Sequence, residues 1–497
     1  VYVYNPTLNR GMYLGSHDAK DRYKQFHFAE IHENAQTDIF GNVIHFPFTK
    51  PGETFTGSTV VVRFHDGDWI AAGKAIYRPW FINQFGLMKP ADDWIRQHGF
   101  FQMIMIMLPE GNINYLCNQI DELARDGLKY GITSLQIAGW QFGGHDNGYP
   151  YYEPDSRLGT WQDMKDAIAR CHQMGVKVYF FVNVQVVMLD IDWYKRELKD
   201  AAALNHLGAI DWIGGWGMGT LASRSGYTTP LMAFCNPSFP ALAKAQLNYF
   251  KKIAEIGADG IHIDKVYPLA IDYNPHLTMS PDAAPWEGTI KAIDDIAREC
   301  QAINPDFRIS FEGRWDRFLS YGLSTWWGHV GNMVWAKRVF PELIETVLHS
   351  KPYDRLGIND ATRRGFAVMV SPHKFNLSMD TPTWRDLSRY IGEINRVRNE
   401  LADSVLFGEF LDTAQVAFDA ALPEKVAFNT YRNLNTGKRA CIITNNAMTP
   451  KKIKLLGFTE NTQGKISIHA PFTDVKMEQL PAEISVAPES IVFIIEQ

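Results

Sequence analysis

A helix, a tight turn and an apolar strand that ends in a carboxylate occur twice in succession in this chain, and that repeat confines its fold more than any other feature. In the first copy a helical apolar pattern runs from Ala241 to Ile256, Gly257 stands where a left-handed C-terminal cap is expected, and residues 259–266 read Asp-Gly-Ile-His-Ile-Asp-Lys-Val. Strand alternation puts His262 and Asp264 on one face, with Ile261 and Ile263 on the other. In the second copy Thr289, Ile290, Ile293, Ile296, Ala297 and Cys300 mark a helix that stops at Asn304-Pro305. A strand from Phe307 to Gly313 follows, in which Ser310 and Glu312 share a face. Strands of this kind, each fed by a helix, belong to a parallel α/β barrel, where the acids would stand at the C-terminal mouth.

Two carboxylates on neighbouring strand ends can flank a scissile bond. One attacks or activates water while the other protonates the leaving oxygen, which is the minimum equipment of a glycosidase. The alternative is that each acid merely pairs with a nearby base, Lys265 or Arg314.

The wider pattern agrees with a barrel. Strands are expected at 101–108, 132–140 and 176–187, the last ending near Asn183 with Tyr179 and Phe181 on the same face; helices are expected at 113–128 and 160–174. Thr160 and Asp163 form a capping-box pair at the start of the second helix. Further on, strands are expected at 324–328, 332–336 and 365–370, and helices at 341–348 and 384–401. No glycine-rich dinucleotide fingerprint follows the first strand, so closure into a (β/α)8 TIM barrel is favoured over an open sheet. Residues 1–85 carry short alternating runs with no helical period, read as part of a β-sandwich, and 406–497 return to short strands of a C-terminal all-β domain. The barrel then occupies 86–405.

At 497 residues the chain exceeds a single compact core. A net charge of -6 argues against nucleic acid as a partner, and no apolar run has the length of a membrane span. Five cysteines lack metal spacing and read as buried thiols. The first residue is Val, which reads as a processed or shortened N-terminus and leaves the compartment open, secreted or periplasmic included. No metal or cofactor is expected.

Aromatic residues make up 13% of the chain, and Trp140, Trp286, Trp315, Trp326 and Trp327 fall near strand ends. Flat apolar rings stack on the C–H faces of sugars while amides and acids bond the hydroxyls. The competing reading is that each Trp anchors a packed loop. The segment Trp140-Gln141-Phe142-Gly143-Gly144-His145-Asp146 sets such groups side by side, and His145 and Asp146 are candidate sugar contacts; as metal ligands they lack a third partner at a recognisable spacing. Lys265 could hold Asp264 ionised, with Glu312 protonated in drier surroundings. His262 is either a donor to substrate or a satisfied core histidine.

The strand ending in Gly260-Ile261-His262-Ile263-Asp264, followed by one ending in Phe311-Glu312-Gly313, resembles the nucleophile and acid/base strands of the α-amylase-like retaining glycosidases and the related endo-α-N-acetylgalactosaminidases. The loop from Trp140 to Tyr152 also resembles that of bacterial glycoside-hydrolase-like proteins with a β-sandwich on each side of the barrel. The resemblance implies cleavage of an α-linked glycan with retention, Asp264 as nucleophile and Glu312 as acid/base. Asn183, Arg314 and Asp316 join the Trp, His, Asp and Lys residues above as substrate contacts. α-Amylases place Arg where this chain has His262; for their third catalytic-site Asp the candidates here are Asp360 and Asp380. In α-galactosidase-like barrels the acid comes from a later strand, which would move that role to a residue such as Asp316. The rival expectation is a carbohydrate-binding protein that keeps the barrel without the chemistry.

Overall fold

The computed structural model describes residues 2–33, 36–87, 99–215, 231–266, 270–313, 315–321, 324–326, 334–349, 351–459 and 461–497. Its centre is a TIM-barrel-like parallel sheet. The strands are β1 (Phe100–Met105), β2 (Ser134–Ala138), β3 (Lys177–Asn183), β4 (Gly260–Asp264), β5 (Arg308–Glu312), β6 (Ser324–Trp326), β7 (Ile344–His349) and β8 (Ala367–Val370). Each pairs in parallel with the next, and β8 pairs with β1, so the ladder returns to its start. Phe101, Met103, Met105, Tyr179, Phe181 and Met369 fill the inside, while Ile104, Ile137, Phe180 and Ile263 pack outward under the helices. Burial on both faces explains why these strands read as near-continuous apolar runs.

The helices are α1 (Ile120–Leu128), α2 (Trp161–Gln173), α3 (Pro240–Glu255), α4 (Glu287–Ile303), α5 (Val334–Val339), α6 (Arg355–Arg363) and α7 (Pro382–Glu400). Thr160 and Asp163 do close the capping box of α2. Between β5 and β6 the described residues hold only a 3-10 turn, Asp316–Ser320. Here a helical run from before the barrel packs instead. Trp69–Ala72, Gly73–Tyr77 and Arg78–Phe85 follow one another, and Phe81 buries against Leu319, Ala336, Val339, Phe340 and Leu343. The expectation of no helix in the first 80 residues is therefore corrected. Asp68, whose carboxylate accepts from the backbone N–H groups of Ile70 and Ala71, starts this run, and aromatic bulk obscured its period.

Two further expectations were inverted: 344–349 is a strand and 334–339 a helix. Ile344, Thr346 and Val347 are β-branched and complete the ladder between β6 and β8, a tertiary demand that outweighed the helix-like Pro341-Glu342 opening.

Before the barrel lie a three-stranded sheet (Tyr2–Asn5, Arg10–His17, Thr59–Asp66) and a hairpin of Lys24–Glu33 with Gln36–His45. After it, a six-stranded and a three-stranded sheet form an all-β unit. Tyr431, Ile442, Ile491 and Phe493 of that unit share one apolar core with Phe100, Val368 and α7. All five cysteines are buried free thiols. No helix among the described residues is long and apolar enough to cross a membrane.

Candidate active site

β4 and β5 are neighbours in register, with His262 opposite Ser310 and Ile263 opposite Phe311. Asp264 and Glu312, each closing its strand, therefore emerge side by side. Their carboxyl groups adjoin, and the neighbouring Glu312 helps to raise the Asp264 carboxyl. The backbone N–H of Lys265 donates to Glu312 Oε2 at 2.8 Å. Its ammonium turns back to contact Asp264 and to donate to Asp146 Oδ1 at 2.6 Å. Lys265 and Asp146 both hold left-handed backbone, with φ of 52° each. Such conformations cost about 1–3 kcal/mol apiece and persist where surrounding contacts over-determine them.

The loop carrying Asp146 is pressed over the barrel by glycine. Gly144 has φ of 91°, and a Cβ there would stand 2.9 Å from the Leu108 carbonyl oxygen. The next residue, His145, donates its backbone N–H to the Met107 carbonyl at 3.2 Å, and its ring lies 4.9 Å from that of Phe181. His262 shares a 2.9 Å hydrogen bond between Nδ1 and Ser310 Oγ. Burial pushes both imidazoles down to about 4, so they are neutral at pH 7.

Two carboxyl groups, Asp264 and Asp146, thus share one ammonium, while Glu312 accepts from the Lys265 backbone. Burial raises the Asp264 carboxyl well above the usual carboxylate range; Lys265 opposes this, and the adjoining Glu312 and Asp146 add to it. Burial pulls Lys265 down, but Asp146 and Asp264 outweigh it and the net direction is up. Lys265 does not decide the Asp264 carboxyl alone, as the sequence suggested: burial and two adjoining carboxyl groups act against it and the net direction is up. Lys374, after β8, was missed in the sequence. It is buried, pushed down to about 8 by that burial, and lies near enough to Asp146 for the carboxylate to counteract the shift. A lysine four residues past a strand end carries no local motif.

Other expected contacts fall elsewhere. Trp140 is fully buried, donates from Nε1 to the Phe181 carbonyl at 3.0 Å and packs on Tyr152, Trp161 and Phe180, so it is a core anchor rather than a sugar platform. Asn183 spends its amide on the backbone: Nδ2 donates to the Asp264 carbonyl at 2.9 Å, and Oδ1 accepts from the N–H groups of Gln185 and Val186. It holds the ends of β3 and β4 together. Trp315 and Asp316 line a separate cavity against the N-terminal sheets. Trp326 closes β6; Arg314 and Trp327 lie outside the described residues. Asp360 is paired with Arg363 and Arg364 in α6, and Asp380 with Lys129 and Tyr130 beside the end of α1, so neither joins the acid pair. Among the described residues no group of three or more His, Cys, Asp or Glu side chains is arranged to hold a metal ion.

Among the solved structures that this chain resembles in fold are glycoside hydrolases. An α-amylase from Geobacillus thermoleovorans, complexed with acarbose, matches with a TM-score of 0.54 at 12% identity over 82% of this chain and 99% of its own. A GH36 α-galactosidase from Geobacillus stearothermophilus matches with a TM-score of 0.59 at 11% identity over 100% of this chain and 69% of its own. The debranching enzyme of Nostoc punctiforme gives a TM-score of 0.53 at 11% identity over 81% of this chain and 98% of its own. At such identities the likeness is one of fold, and the fold is glycosidase-like. No curated protein matches the chain by sequence. The family described as "Domain of unknown function (DUF6259)" matches residues 55–319, from the strand before the helical run through the 3-10 turn after β5. That span covers more than half of the chain and includes both acids with their strands, and the chain belongs to this DUF6259 family.

Proposed function

We propose that this chain is a glycoside hydrolase that cleaves an α-linked glycan by retaining double displacement on a (β/α)8 barrel. The observation that carries the reading is the pair of carboxyl groups on adjacent parallel strand ends, Asp264 and Glu312, joined at the mouth of a glycosidase-like fold. In the reaction Asp264 attacks the anomeric carbon, and the proton held by the pair passes through Glu312 to the leaving oxygen. Water then opens the glycosyl ester, giving its proton to Glu312 and its oxygen to the sugar. A pair sharing one proton supplies both roles. Retention is the reading that suits acids on adjoining strand ends, since a retaining pair works at about 5–5.5 Å whereas an inverting pair needs roughly 6.5–9.5 Å for an intervening water. His145, Asp146, His262 and Lys265 would surround the reacting sugar. Neutral His145 and His262 can offer a hydrogen bond without adding charge.

One observation favours the rival, a carbohydrate-binding protein without turnover: Lys265 closes over Asp264 and Asp146 as a structural ion cluster would. Turnover separates the two. Aryl α-glycosides of galactose, glucose, N-acetylgalactosamine and fucose, tested with and without chelator, should include a hydrolysed substrate whose first product anomer by NMR is α. A β first product would sink the retaining mechanism, and glycan binding without hydrolysis or transfer would establish the rival.

A further inference from the structure

Apart from the strand mouth, a cavity of about 470 Å³ opens between the N-terminal sheets and the barrel. That volume lies within the roughly 300–1,000 Å³ of small-molecule sites. Tyr13, Tyr77 and Trp80 contribute one wall, and Trp286, Trp315 and Asp316 the other. Trp286 and Trp315 meet edge to face with ring centroids 5.1 Å apart. Trp286 immediately precedes α4, in the connection from β4, and Trp315 follows β5, so this wall hangs from the two strands that end in Asp264 and Glu312.

Apart from Lys20, whose side chain is exposed, the charged side chains of the lining are held by partners. Lys24 pairs with Asp18 at 2.9 Å, Arg317 with Asp21 at 3.3 Å, and Arg22 with Asp282 and Glu287. Asp316 is held by the Tyr77 hydroxyl. Little net charge remains to select an ionic ligand, while several aromatic rings and hydrogen-bonding groups line the same space. Nη1 of Arg317 is a buried donor that has no hydrogen-bond partner among the described residues. Rings for C–H faces, a spare donor and paired charges fit an uncharged polyol.

We propose that this cavity, lined in part by the connections that follow β4 and β5, binds a neutral pyranose unit of an oligosaccharide, so that the N-terminal domain takes part in choosing the substrate. The identification of the ligand as a sugar rests on the glycosidase reading above, but its binding is measured without turnover. Tryptophan fluorescence titrations with maltotriose and with raffinose would be run on the wild type and on Trp80→Ala, Trp315→Ala and Asp264→Asn, each checked for native circular dichroism. At least one saccharide is expected to bind, about tenfold or more weaker in both Trp variants, with Asp264→Asn within about threefold of wild type. Wild-type affinity in both folded Trp variants, or no response to either saccharide, would overturn the proposal. If Trp80→Ala misfolds, Trp315→Ala decides alone. Binding that needs Trp315, together with no hydrolysis in any assay, would leave this site standing and defeat the enzyme reading; hydrolysis with Trp-independent affinity would do the reverse.

Discussion

Lys265 shows how much one residue is asked to do at the mouth. Its left-handed backbone sends the N–H to Glu312 and the ammonium to Asp264 and Asp146, so one residue serves three carboxyl groups, two of them through its charge. Replacing Asp264 by Asn keeps the shape but removes the proposed nucleophile, and hydrolysis should fall on the order of 10³-fold or more, about 4 kcal/mol or more of transition-state stabilisation. Glu312→Gln should lose a similar factor on a natural linkage yet spare aryl glycosides with acidic leaving groups, which depart without a proton. Initial rates on both substrate types check the pair of expectations. The buried imidazoles make a separate prediction about pH. His145 and His262 titrate near 4 when folded and near 6.5 when unfolded, so in between the unfolded chain binds more protons. Their contribution to stability is complete above the unfolded value and is lost as pH falls through that window. The melting temperature should therefore drop from pH 7 to pH 4, and His145→Gln should flatten part of the decline.

At the scale of elements, the helical run Trp69–Phe85 occupies the place beside the 3-10 turn where the barrel's own helix is lacking among the described residues. Phe81 is 1% exposed there, with ring centroids 5.2 Å from Phe340 and 5.4 Å from Phe85. Phe81→Ala should destabilise the chain by about 3–5 kcal/mol, read as a lower urea midpoint. The sequence disclosed most clearly what local pattern enforces. The barrel strands and helices between 100 and 312 follow from periodicity, the Thr160 cap and Gly257, although α1 starts at Ile120 rather than 113 and β3 stops at Asn183 rather than 187, and alternation put Asp264 and Glu312 at the ends of neighbouring strands. It did not disclose what only tertiary contact decides. Trp140 sits at a strand end, as a stacking residue would, yet its fate depends on Phe180 and Tyr152 folding against it. β7 was hidden because six residues with a Pro-Glu opening satisfy a helix rule until β6 and β8 claim their backbone hydrogen bonds.

Across the whole molecule, the barrel and the C-terminal sheets share a core rather than a linker. Tyr431 donates its hydroxyl to the Arg363 carbonyl at 2.7 Å, and Lys74 of the early helical run reaches Glu409 at 2.6 Å, tying the first and last parts of the chain together. Removing 406–497 should expose Phe100, Val368 and α7 and give an insoluble product; a soluble, cooperatively melting 1–405 would contradict this. The five thiols, each sealed in the interior, have a practical corollary. Ellman's reagent should find almost none of them in the native protein and all five after denaturation. A single cysteine introduced at exposed Leu207 or Phe472 would then carry the only addressable label, so distance and quenching probes could be attached without first stripping the natural sulfurs from the chain.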